Sequence, residues 1–565
     1  MNGFSSAQAV AYHNNAALHA ALQSLAQQYP HLIEVREVGR SFEGQPIWLA
    51  TLTDRRTGAP RDKPAVWLDG NTHAAELAGA SVCLFALAAL CERWTAGDPL
   101  VTGLLARRAL VVLPRVNPDG AEQVLRTGAP LRASTRRWPR QDGPLGWVPG
   151  DVDSDGKVRQ IRVESPSGAW KLYAADPRVL VPREPDDASG PFYHLYREGK
   201  FSEEFDPDKL DVRPHPQGLD FNRNYPYGWR PEHRQKGAGP HPLSEPETRA
   251  HVEAFLSFPR IGAAITYHTY CGAILRPFSD KPDSDMDAQD LSVFKAIGKR
   301  GEALTGYKCI SVFHEFRYTT NDVISGAFDD WAYNDRGVLA FTIEIWNAAR
   351  AAGIQVESFA DFFFLGHRTP EQTKQILDWC VQNAPDSYAD WRPFHHPQLG
   401  PVEIGGWDRL YSWQNPPLRE LTQECEKNLA FVLCLMQALP VATLQRWEVE
   451  PVGEGLHRVT AVVENLGWLP SSGTALGKKF CEPARAQLQV GPHMALVVGE
   501  RELELGHLAG ASDVTLGSFA DASYFPGVAR RSVGKAEWVV SGSGEVAVVV
   551  DAARAGVVVC PAKRV

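Results

Sequence analysis

Along the first two-thirds of the chain, short apolar runs alternate with stretches whose apolar positions recur every three or four residues. The runs fall at 65–68, 110–113, 261–267 and 339–345, and are rich in β-branched and small residues. Helical spacing is seen over 14–28, where Leu18, Leu22 and Leu25 share one face, and over 77–94, 245–255, 291–304 and 371–381. Ser244 and Glu247 have the spacing of a capping box, with Ser244 as N-cap. Buried strands alternating with amphipathic helices predict an α/β layer, a mixed and mostly parallel sheet flanked by helices.

Two segments break this rhythm. Residues 147–218 are polar, rich in Pro, Asp and Arg, and too long for a plain loop, so they are expected to form a surface insertion with structure of its own. A long helix over 417–439 ends at Pro440. Beyond it, HRVTAVVEN, ARAQLQV, ALVVG, EWVVSG, EVAVVVD and GVVVC are short strands separated by turn residues. The expectation is a first domain over 1–440 and a small all-β sandwich over 441–565.

Composition narrows the function classes. The chain has 58 basic and 67 acidic side chains, a formal charge of -9, which leaves no basic footprint for nucleic acid and no polybasic membrane patch. Nine cysteines, an odd number with no CxxC pair, indicate reduced thiols. The start, MNGFSSAQAV, lacks the basic and apolar regions of a signal peptide, so the cytoplasm is the expected compartment. No uninterrupted apolar run approaches the roughly 18 residues of a membrane span, and none is expected.

Polar groups collect at the ends of the apolar runs, where open α/β sheets bind ligands. AVWLDG leads into NTHAAE, which sets His73 and Glu76 three residues apart, a spacing that lets an imidazole and a carboxylate face one point. IGAAITYH ends in His268, and LAFTIE ends in Glu344. One carboxylate and two imidazoles form the usual catalytic zinc set, which leaves a position open for water. An acid inside an apolar strand costs several kcal/mol unless paired or functional, so Glu344 is either a buried ion-pair partner or a general base.

NTHAAE, VNPDG, LDFNRNYPYGW, LSEPET, ITYHTY, SGAFDDWAY and FTIE occur in the order seen in zinc metallocarboxypeptidases of the A and B type, which this chain resembles over roughly residues 10–440 apart from the insertion. The resemblance implies one zinc per chain on His73, Glu76 and His268, with Glu344 as base. It implies hydrolysis of the C-terminal peptide bond of peptides with a free carboxylate, gripped by Asn222 and Arg223. Arg132, fifteen residues after Asn117, has the family's spacing for the oxyanion arginine, with Arg136 and Arg137 as alternatives. Tyr270 matches a tyrosine lining the cleft. The mobile capping tyrosine is matched by Tyr318 if the loop carries an insertion, since the family's spacing lands on Asp322. Ala75 stands where some members have arginine. Asp329, two before Trp331, resembles the base of the side-chain pocket, where Asp accompanies a preference for Lys or Arg.

Three other readings follow from the residues. Asp151, Asp153 and Asp155 form DxDxDG, the opening of a calcium loop, but position twelve is Arg162 and not Glu, so a plain acidic turn is the reading set against calcium. A zinc amidase or deacylase acting on acyl-amino acids or peptidoglycan stems would use the same machinery. A zinc-free binding or assembly protein would use the sandwich instead.

Overall fold

The computed structural model describes residues 3–139, 146–202, 218–317, 323–513 and 532–565. At its centre is an eight-stranded sheet, in the order Ile33–Arg40, Pro46–Leu52, Ala109–Leu113, Ala65–Gly70, Ile261–Thr269, Leu339–Ile345, Ala273–Arg276 and Lys308–Ser311. Four neighbouring strands, from Ala109–Leu113 to Leu339–Ile345, run parallel. The pairs on either side of this block are antiparallel, and Lys308–Ser311 is parallel to its neighbour. The central strands are largely apolar and almost wholly buried because helices cover both faces. Val66, Leu68, Ile265 and Phe341 face one core with helices Ala78–Thr95 and Leu418–Ala438; Ala65, Trp67, Ala264 and Ala340 face the other with helix Pro246–Leu256.

Helix Ala78–Thr95 falls where helical spacing was read over 77–94. By length and composition it is apolar enough to cross a membrane. It is buried from Ala78 to Cys91, so its apolarity is spent on the core. Its first turn lies hard against the sheet: a Cβ on Gly70 would come 2.7 Å from the Gly79 carbonyl carbon.

The insertion is not self-contained. Strands Gln160–Glu164, Trp170–Tyr173, Asp176–Pro182 and Phe192–Arg197 join Tyr388–His396 and Gly400–Trp407 in one antiparallel six-stranded sheet. The later hairpin is poorly announced, because Arg392, Pro393, His395 and Pro401 interrupt any apolar alternation. The calcium expectation finds no support here. Asp153 pairs with Arg392, Asp155 pairs with Arg159, and Arg162 at position twelve bonds Glu403 at 2.8 Å. Asp151 accepts the Ser154 and Gly156 amides, which makes the segment an internally bonded acidic turn.

Beyond Ala442 two four-stranded sheets pack face to face, one holding Leu456–Asn465 and Val533–Gly542, the other Ala484–Val490 and Glu545–Asp551. Alternate residues, Val459, Ala461 and Val463 against Val546, Val548 and Val550, fill the space between them. This sandwich docks at the N-terminal ends of the central strands. Arg260 bonds Asp551, the Arg554 guanidinium donates to the Gly337 carbonyl, and Asp290 accepts the Ala475 and Leu476 amides.

Helix Pro246–Leu256 corrects the capping expectation. Glu245 is its N-cap and Pro246 takes the first helical position, so Ser244 and Glu247 do not form a box. Glu247 is buried instead against the Phe42 amide, 2.7 Å away, and burial pushes its carboxyl from 4.5 up to about 7. The folded protein keeps this proton across a window in which the unfolded chain has lost it. Its contribution to stability is therefore present at low pH and falls as pH rises from 4.5 to about 7. Thermal melts should show Glu247→Gln matching the parent near pH ~5 and melting a few degrees higher near pH ~8; parallel profiles would contradict this.

Candidate functional site

The three central strands end at one level. Tyr267 is opposite Gly70, and His268 is opposite Glu344. After Gly70 the chain turns through Asn71, whose φ of 58° lies in the left-handed region that Asn tolerates. The Asn71 side chain donates to the His73 carbonyl at 2.9 Å. From the other side, Asn415 donates to the Ala75 carbonyl at 2.8 Å and accepts the Ala78 amide at 3.0 Å. The loop carrying His73 and Glu76 is thus fixed at both ends.

His73, Glu76 and His268 are buried and converge. The two Nδ1 atoms are 3.0 Å apart, and each lies 2.9 Å from a Glu76 oxygen. His73 Nε2 lies 3.0 Å from Asp220 Oδ1, a partner that holds the proton on Nε2 and leaves the Nδ1 lone pair for the cluster. Burial alone would raise the Glu76 carboxyl, but the two imidazoles hold it well below the carboxylate range. Glu344 behaves oppositely: burial and the Glu76 carboxylate push it well above its usual range, against the pull of His73 and Arg132. Two imidazole lone pairs and a carboxylate facing one point, with a further acid beside them, are a donor set that fits a divalent cation such as zinc.

Arg132 is the guanidinium of this centre. Its Nε donates to Asp220 at 3.0 Å and its Nη1 lies 3.6 Å from Glu76. The alternatives stand elsewhere: Arg136 is paired with buried Glu245, and Arg137 is exposed. Asp220, which the motif reading passed over, is the hub of the group. It accepts from His73, Arg132 and the Asn222 amide, and although burial opposes its charge, Arg132, Arg223 and His73 hold its carboxyl well below the usual range. Its signal was available in LDFNRN, an acid between buried Leu219 and Phe221.

Asn222 and Arg223 sit buried on the short turn Phe221–Arg223. Asn222 Oδ1 accepts the Phe328 amide at 2.9 Å, which ties this pair to the start of helix Phe328–Asn334. On that helix Asp329 is buried; Thr342 Oγ1 donates to one of its oxygens and the Asp330 amide to the other, both at 3.0 Å. Burial raises its carboxyl. Thr342 lies two residues before Glu344 on the same strand face, so Asp329 is turned toward the site. Tyr270 follows His268 and packs edge-on to Phe363, with ring centroids 5.6 Å apart. Tyr318 and Asp322 lie outside the described residues.

Comparison with known proteins adds an independent line. The model of a family described as zinc carboxypeptidase matches residues 18–376, and a second, described as a domain of unknown function, matches 442–563. The chain is 24% identical over 342 residues to a carboxypeptidase B of Astacus astacus, covering 59% of this chain and 86% of that protein. It is 21% identical over 366 residues to a zinc carboxypeptidase of Saccharothrix mutabilis subsp. capreolus, covering 60% and 63% respectively. Among solved structures, thrombin activatable fibrinolysis inhibitor aligns with a TM-score of 0.41 at 18% identity, over 68% of this chain and 78% of that one.

Because Asp220 sets the tautomer of His73 and anchors Arg132, Asp220→Asn should weaken zinc binding about 10–100-fold. Competition against a chromogenic chelator measures this, and parental affinity in the variant would remove Asp220 from the centre.

Proposed function

This chain belongs to the zinc carboxypeptidase family, and on that premise we propose that it removes the C-terminal residue of peptides using His73, Glu76 and His268 as zinc ligands. The observation that carries the reading is their convergence beside Glu344, which faces His268 across the sheet. A zinc ion held there supplies Lewis acidity toward a carbonyl oxygen and toward water. Glu344 takes the proton of the attacking water and delivers it to the departing amine. Arg132, the guanidinium nearest the ligands, is assigned to the developing oxyanion, where losing such a donor costs about 10²–10³ in turnover. Asn222 and Arg223 grip the substrate's terminal carboxylate, a charged hydrogen-bonded contact contributing about 1.5–3 kcal/mol. Tyr270 is assigned to the wall of the cleft, and Tyr318 to the capping role that the resemblance implies. Residues 1–440 form the catalytic unit in this reading, and 441–565 brace it from the end remote from the ligands.

The test pairs a free-acid peptide with its C-terminal amide, for parent and Glu344→Gln. We expect cleavage of the free acid only, and a loss of about 10³-fold or more in the variant with zinc content retained. Cleavage of the amide at a similar rate would mark a different amidase, and near-parental turnover in Glu344→Gln would end the assigned mechanism.

The side-chain preference follows from Asp329. Among the described residues no cation lies within ion-pair distance of this buried carboxyl, which leaves it a partner for a Lys or Arg side chain of the substrate. An apolar terminal residue would face an unpaired acid. Acylated dipeptides ending in Arg or Lys should be hydrolysed faster than those ending in Phe or Leu, and Asp329→Ser should shrink that ratio at least about tenfold. Equal rates in the parent would place Asp329 outside the pocket.

A further inference from the structure

Three cavities form a continuous path from the ligand set toward the six-stranded sheet. The first, of about 500 Å³, is lined by His73, Glu76 and Arg132 and also by Arg197 and Gln414. Arg197, Gln414, Ala75 and Pro130 are shared with a second cavity of about 390 Å³, which Arg409 also lines. Arg409, Gln160, Leu195 and Trp407 are shared in turn with a third cavity of about 620 Å³, where Arg368 joins. Asn222, Arg223 and Asp329 line none of them. If the terminal residue of a substrate is held by those three, the rest of the peptide leaves along this path.

The middle of this path is charged in one sign, with Glu76 at its first end and Glu184 among the residues of its last cavity. The second cavity is lined by Arg159, Arg197 and Arg409 and by no carboxylate. Other arginines of this region are neutralised, Arg159 of the same cavity by Asp155, Arg162 by Glu403, and Arg178 by Asp176 and Asp378. Among the described residues no such ion pair holds Arg197, Arg368 or Arg409. They come from three separate elements: the end of strand Phe192–Arg197, the turn after Gly400–Trp407, and the segment before helix Pro370–Asn383. Arg368 and Arg409 are steadied on the Trp413 ring, with guanidinium-to-centroid distances of 4.8 and 5.4 Å. Burial, and then the charge of Arg409, lowers the pKa of both Arg197 and Arg368, as expected of cations that lack a counter-charge. In a chain of net charge -9, a concave surface with three unneutralised guanidinium groups is a local construction.

We propose that Arg197, Arg368 and Arg409 form an extended subsite that binds the acidic side chains of a peptide substrate upstream of the scissile bond. The proposal rests on the carboxypeptidase reading above and adds to it the class of peptide preferred. Guanidinium groups suit carboxylates bidentately, and a carboxylate brought here relieves the mutual repulsion of the three cations.

The test uses the zinc-loaded enzyme and peptides with one fixed C-terminal dipeptide, carrying Glu, Gln or Lys at the third to fifth positions from the end. We expect kcat/KM about tenfold higher for Glu than for Gln, lower still for Lys, and a difference that shrinks with added salt. The Glu-to-Gln ratio should fall toward one in Arg409→Gln and in Arg368→Gln, and be partly kept in Arg409→Lys. Fluorescence anisotropy of labelled Glu and Gln peptides on the Glu344→Gln enzyme reads the same ratio without turnover. Equal values for the two peptides, with the short acylated dipeptides cleaved normally, would overturn the subsite alone. Failure to cleave the dipeptides would instead fall on the carboxypeptidase reading, and the anisotropy ratio would still decide the subsite.

Discussion

Strands Ala65–Gly70, Ile261–Thr269 and Leu339–Ile345 pair in parallel, with Tyr267 opposite Gly70 and His268 opposite Glu344, and the positions of His268, Glu344 and the start of the His73 loop follow from that register. Side chains alternate faces along a strand, so a slip of one residue would turn His268 or Glu344 out of the site. The register is protected by what lies on either face. Trp67 and Phe341 are fully buried on opposite sides of the sheet, and the close approach of Gly79 to Gly70 fixes the helix that follows the ligand loop. The sandwich contributes at the other end of the same strands, where Arg260 and Gly337 are held just before two of them begin.

Electrostatics then decides what this geometry is for. Glu76, Asp220 and Glu344 crowd three carboxyl groups around two imidazoles and Arg132, and they do not share one protonation state. Glu76 and Asp220 are held as anions by their cationic and imidazole neighbours, whereas Glu344 is pushed toward its neutral form by burial and by Glu76. Neighbouring acids driven apart in this way can take different parts in one centre, and the proposed division, with Glu76 as ligand and Glu344 as proton carrier, follows that split.

Much of this centre was legible in the sequence, because polar residues at the ends of apolar runs have few structural reasons to be there. His73, Glu76, His268 and Glu344 all stood out on that ground. Asp220 is masked in LDFNRN by the amide and guanidinium that follow it, which carry the plainer chemical signal, and Asn415 is invisible in the sequence, since its contact with Ala75 spans 340 residues. The capping box failed for a local reason, as Pro246 took the first helical position. Helix Ala78–Thr95 was legible over 77–94, although Ser81 and its polar end interrupt a run that remains apolar on average. The largest omission was the hairpin Tyr388–Trp407, whose prolines and charges hide a pairing that only the insertion completes.

That pairing has a consequence for how the molecule is made. Arg162 and Glu403, bonded across the six-stranded sheet, are 241 residues apart in the chain. Contacts of such sequence separation close late, because the loop entropy must be met before the contact returns anything. On a ribosome the strand Gln160–Glu164 emerges long before Gly400–Trp407 exists, and until then it is an open edge able to pair with other chains. Synthesis of this enzyme therefore passes through an interval in which the ligand-bearing strands can assemble while the wall beside them is unfinished and prone to association.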